Sequence, residues 1–155
     1  MKAVIKPLVI SLSLLASTQI NAEEQLTFGL GLGNLYSGLG VNVGYQGENS
    51  LKYMSAGCMS YSSMYGTTCG VGAGIVKTDI FDFQTPNHGL GAYLGIVGTQ
   101  VVRFDRKAIY GGGIGYHYFF NGIDKSGLQL GIAGVIGKED SGTGGAMVVQ
   151  LGYQF

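Results

Sequence analysis

Charge is scarce in this chain. Only 12% of its 155 residues are Asp, Glu, Lys or Arg, and the two signs balance at nine each. That balance excludes the basic footprint of a nucleic-acid binder and the acidic tail of a charged adaptor. Tryptophan is absent, proline occurs twice and histidine twice. Two cysteines with two distant histidines lack the ligand spacing of a zinc site, so no metal is expected. Long hydrophobic runs are missing too. The longest, Leu8 to Ala16, has nine residues and is too short to span a bilayer as a helix.

That short run has a different meaning. Lys2 and Lys6 precede it and "STQINA" leads from it to Ala22, the order of a secretory signal peptide. Residues 1–22 are expected to be removed, which leaves 23–155 as one domain. That domain keeps seven basic against nine acidic residues.

What the chain has in abundance is glycine, 29 residues, all beyond Ala22. No stretch after that point carries helical periodicity, and each glycine would penalise a helix by roughly 1 kcal/mol. Period 2 appears instead. In "LTFGLGLGN", Leu26, Phe28, Leu30 and Leu32 alternate with Thr27 and three glycines; "LGVNVGYQ", "CGVGAGI" and "LGAYLGI" follow the same rule. Eight strands are predicted, near 26–34, 38–46, 51–61, 67–77, 88–98, 108–119, 127–137 and 144–155. They are longer than the five or six residues usual in soluble sheets and match the roughly 9–11 of a tilted membrane strand.

The charges fall in the predicted connections or near strand ends. One face of each strand is apolar, while the other is glycine with a few Asn, Gln and Tyr. A soluble sandwich would need a polar outer face, and that face is missing. The pattern predicts an all-β, antiparallel up-and-down transmembrane barrel of eight strands, with lipid outside and small residues inside. Phe28, Tyr45, Tyr116, Tyr118, Tyr153 and Phe155 would form an aromatic girdle at the end where the termini meet. The outer loops would be 35–37, 62–66, 99–107 and 138–143. The connection 78–87 would be unusually long for the other side.

The run "MVVQLGYQF" is the most specific segment. Val149, Leu151, Tyr153 and Phe155 resemble the closing-strand signature of bacterial outer-membrane β-barrel proteins, and the eight-strand plan resembles the small OmpA- and OmpX-type barrels. The resemblance implies export to the outer membrane of a Gram-negative bacterium and recognition by the barrel-assembly machinery. It also implies contact with outer-membrane lipids and lipopolysaccharide. It carries no activity over.

Cys58 and Cys69, in an exported chain, are expected to form a disulfide. Pairing them across a hairpin sets Ala56 opposite Val71 and Met54 opposite Ala73, and on the other face Gly57 opposite Gly70 and Tyr53 opposite Gly74. Both faces keep their character, so bond and register agree. Catalysis lacks support: no nucleophile neighbours His88 or His117, and "GLGLG" and "GGGIG" open no helix, so no cofactor loop is read from them. The glycines are expected to leave lumen space for Tyr53, Tyr93, His117 and Phe119. Of these, Tyr53, Tyr93 and His117 are the candidate contacts for any lumen ligand. Arg103, Arg106 and Lys107 are candidate surface contacts, able to meet lipopolysaccharide phosphates if their loop faces outward. The expected role is therefore structural or surface-interacting and non-catalytic, with a lumen too narrow for a general porin. The alternatives are a lipid-binding or lipid-A-modifying barrel and a soluble periplasmic β-domain.

Overall fold

The computed structural model describes residues 24–64, 66–80, 85–102 and 105–155; residues 1–22, expected to be a signal peptide, and Arg103 lie outside them. Eight strands run in chain order: β1 Gln25–Gly33, β2 Gly38–Gln46, β3 Ser50–Ser60, β4 Thr68–Lys77, β5 His88–Val102, β6 Asp105–Phe119, β7 Gly127–Glu139 and β8 Gly142–Gln154. Each pairs antiparallel with its sequence neighbours. β1 also pairs with β8, from Gly29↔Gln154 to Leu32↔Leu151, which closes the barrel. Among the described residues the only helical element is one 3-10 turn, Asn34–Tyr36. Among the described residues no helix is long and apolar enough to cross a membrane, which has no bearing on crossing by strands.

Period-2 alternation becomes two concentric surfaces. Outward positions on every strand are exposed and apolar, among them Leu26, Val43, Met54, Val71, Leu94, Ile114, Ile132 and Val149. Inward positions are glycine, neutral polar groups, aromatics and a few aliphatics such as Leu51, Val76 and Val135. Thr27, Asn42, Ser55, Gln129, Gln150 and Gln154 are buried in the lumen. No Asp, Glu, Lys or Arg is buried among the described residues.

Cys58 and Cys69 form the expected disulfide, and their strands pair in the expected register, Ala56↔Val71 and Tyr53↔Gly74 included. The bond ties β3 and β4 next to their connection, across an eleven-residue separation. Cys58→Ser should therefore lower stability by about 2–3 kcal/mol. Denaturant unfolding of the oxidised wild type against the variant measures the loss; equal midpoints would show that the bond contributes nothing to the fold.

The structure corrects two parts of the sequence reading. Segments 99–107 and 138–143 are strand for most of their length: β5 continues to Val102, β6 begins at Asp105, and β7 and β8 meet across 140–141 alone. Charges marked these segments as loops. They are instead solvated positions on two hairpins, where Gln100↔Lys107 and Val102↔Asp105 are cross-strand partners. Beyond Gly95 on one side and Gly111 on the other, the β5–β6 hairpin leaves the ladders of β4 and β7 and pairs only with itself. The second correction is larger. Residues 35–37 are no outward loop: Asn34, Leu35, Tyr36 and Ser37 are all buried.

Candidate functional site

The first connection folds back into the barrel and plugs it. Its entry and exit need left-handed backbone, supplied by Gly33 (φ 108°), Ser37 (φ 56°) and Gly38 (φ 105°). Glycine takes such angles without strain, and the single non-glycine, Ser37, is held in place by its own contacts. Leu35 donates its backbone N–H to Gln150 Oε1 at 3.0 Å and accepts from Asn42 Nδ2 at 3.3 Å. Tyr36 Oη accepts from Gln129 Nε2 at 3.2 Å. Ser37 Oγ lies 2.8 Å from Ser55 Oγ and 3.1 Å from Tyr93 Oη, and Tyr93 in turn donates to the Ile96 carbonyl at 3.0 Å.

Glycines on four strands make room for this plug. A Cβ on Gly31 of β1 or Gly152 of β8 would strike the Tyr36 ring; one on Gly40 of β2 or Gly57 of β3 would strike the Tyr36 carbonyl. The same logic holds deeper in the barrel, where Gly72 and Gly95 face Tyr93, Gly74 faces Tyr53, and Gly91 faces His117. The sequence reading anticipated the aromatics; Tyr53, Tyr93, His117 and Phe119 are all buried inside. It missed the plug and the glutamines that anchor it. The available signal was "GNLYSG", a short apolar connection bracketed by glycines, with no charge to keep it in water.

Buried side chains fill both ends of the lumen among the described residues. Toward the termini, Leu51, Val76, Phe119 and Ile123 are buried together, and Gln154 donates to Thr27 Oγ1 and Asn42 Oδ1 at 3.0 and 3.1 Å. At the opposite end Ile96, Val97 and Ile109, from the hairpin that leaves its neighbours, are buried beside the plug. Between them remains an internal void of about 10 Å³, lined by Asn34, Tyr53, Tyr93, His117 and Gln150 among others. That is room for the centre of one water molecule, far below the roughly 300–1,000 Å³ of a ligand pocket. Tyr53, Tyr93 and His117 thus meet around a packed chamber. Neither Asn34 side-chain atom, nor His117 Nδ1, nor Gln129 Oε1, has a hydrogen-bond partner.

The remaining candidates fall elsewhere. Arg106 and Lys107 are consecutive on β6 and so point to opposite faces, Arg106 half-buried and Lys107 exposed. They do not make one basic patch. His88 opens β5, where its Nδ1 lies 2.5 Å from Tyr116 Oη and its ring edges Tyr118 at 5.1 Å. At the same end Phe155 stacks on Phe28 at 4.7 Å and contacts Tyr153 at 4.8 Å, so β8 and β1 are joined by aromatics as well as by their ladder. The Phe155 carbonyl accepts from Thr27 Oγ1 at 2.6 Å, and its N–H donates to the Phe28 carbonyl at 2.8 Å. No group of three or more His, Cys, Asp or Glu that could hold a metal exists among the described residues.

Outside the barrel, β4 to β7 carry a shallow apolar furrow of about 400 Å³ running from Lys77 and Tyr116 to Ala92 and Ile114. It continues as a hollow of about 630 Å³ over Gly112 and Gly134. The class defined by these features is a closed, internally plugged, eight-stranded antiparallel barrel that is apolar outside and neutral polar inside. Comparison takes it no further: no protein-family model, curated protein or solved structure matches the chain.

Proposed function

We propose that this chain is a small, non-catalytic β-barrel of a Gram-negative outer membrane with a structural or surface-interaction role. The observation that carries the reading is the exposed apolar belt present on all eight strands around a neutral polar interior. Water makes such a surface costly, whereas hydrocarbon demands it together with a closed backbone ladder. The belt has a suitable height. On β7, Leu128 to Ile136 covers eight residue-to-residue steps of about 3.4 Å each, and a tilt near 40° turns that into roughly 20 Å, against a band of about 25 Å in such barrels.

In this reading the end holding Phe28, Tyr45, Tyr116, Tyr153 and Phe155 lies at the periplasmic interface. The opposite end presents Tyr61, Met64 and Lys107 to partners such as lipopolysaccharide. Val149, Leu151, Tyr153 and Phe155 would be read by the assembly machinery during insertion. The plug and the filled ends argue against a solute channel. His117 is buried beside a void of about 10 Å³ among the described residues, which gives no support to a lipid-A-modifying role.

Cell fractionation with an unboiled-versus-boiled gel tests the proposal. The expected result is recovery in outer membranes and a mobility shift on boiling, the mark of a barrel that resists detergent until heated. Recovery in the soluble periplasm would replace this reading with that of a secreted soluble barrel.

A further inference from the structure

Three of the four plug residues are tied directly to the barrel wall: Leu35 to β8 and β2, Tyr36 to β7, and Ser37 to β3 and β5. Asn34 is the exception. It is 2% exposed, and neither its Oδ1 nor its Nδ2 meets a protein partner. His117 on β6 is equally enclosed, with Nδ1 unpartnered. Both residues border the same internal void of about 10 Å³. Roughly nine in ten buried polar groups in folded proteins are paired, so two unpaired ones on a single void require an occupant.

The chamber's size and chemistry select that occupant. About 10–15 Å³ of such space holds one water and nothing larger. An apolar guest would leave the amide and the imidazole unpaired. A cation would find no buried carboxylate among the described residues to balance it. We propose that the chamber is a binding site for a single water molecule that hydrogen-bonds Asn34 of the plug and His117 of the wall. The water gives the fourth plug residue its link to a strand, β6, that the other three do not reach.

Asn34→Leu, which keeps the shape and removes the polarity, distinguishes a wet chamber from a dry one. With a bound water, the substitution strands the solvent and should lower the folding equilibrium constant about tenfold, measured by urea unfolding in detergent micelles. In a dry chamber it removes an unpaired amide and leaves the constant unchanged or raised, which would overturn the proposal. A second measurement uses the wild type, independently of whether the variant folds. Magnetisation transfer from a long-lived water to the Asn34 side-chain NH₂ protons should be observed by NMR. Its absence in the assigned, folded protein would also overturn the proposal.

Discussion

Gly40→Ala should destabilise the barrel by about 3 kcal/mol or more, while Gly134→Ala should leave it unchanged or stabilise it by about 0.5–1 kcal/mol. Both glycines lie inside strands and both gain one methyl group. The difference is what that methyl group meets. At Gly40 a Cβ points into the lumen against the Ala56 carbonyl, the Tyr36 carbonyl and the Gly57 Cα, all backbone atoms of the plug and the neighbouring strand. None can swing aside as a side-chain tip can. Either the plug withdraws, exposing Leu35 and Tyr36, or the β2–β3 ladder opens. At Gly134 a Cβ points outward and finds nothing within 4 Å. There the only effect is the reduced backbone freedom of the unfolded chain. Urea titration of the gel-shift species measures both variants. Gly152→Ala is an informative intermediate, because its Cβ meets the Tyr36 ring rather than a carbonyl. Replacing Tyr36 by Leu should restore part of that loss, and should restore none of the loss at Gly40. Equal, small effects at positions 40 and 134 would contradict the plugged arrangement.

The fold was legible because a strand's side-chain period is a property of the backbone alone. Leu26, Phe28, Leu30 and Leu32 share a face in any extended conformation, and the same period recurs in eight segments. The Cys58–Cys69 register was legible for a related reason, since any other alignment would mix glycine and apolar faces. The corrections occurred where period and polarity part company. Asp105, Arg106 and Lys107 suggested a loop by charge, yet they alternate along β6 beyond the apolar belt, where a strand can be charged without cost. Asn34 to Ser37 suggested a turn by length, and the direction of a turn is not a local property. That direction is set by glycines at positions 31, 40, 57 and 152, on four different strands, which create the cavity the turn fills. Such a cavity depends on the closed barrel, so it cannot be read from one segment at a time.

Ile114→Arg should prevent or severely weaken folding into phospholipid vesicles, with a cost of about 2–4 kcal/mol if the apolar belt lies in hydrocarbon. Ile114 is 75% exposed in the middle of β6, opposite Ala92 on one side and Gly134 on the other. In water that setting tolerates arginine. An exposed strand position far from the core changes stability by no more than about 0.5 kcal/mol, and the added charge would improve solubility. The sign of the effect therefore separates the membrane reading from the soluble one without any assay of activity. A depth control makes the separation sharper. Leu128 is 51% exposed at the first turn of β7, close to the aromatic end, where arginine reaches the interface and should cost only about 0–1 kcal/mol. In vesicles the two arginines should thus differ by about 2–3 kcal/mol although both replace exposed apolar residues. A soluble barrel supplies no depth, so the two costs would coincide near zero and the chain would remain folded without lipid. The contrast depends on nothing inside the barrel: both side chains point away from the lumen, and a difference between them measures only the medium outside.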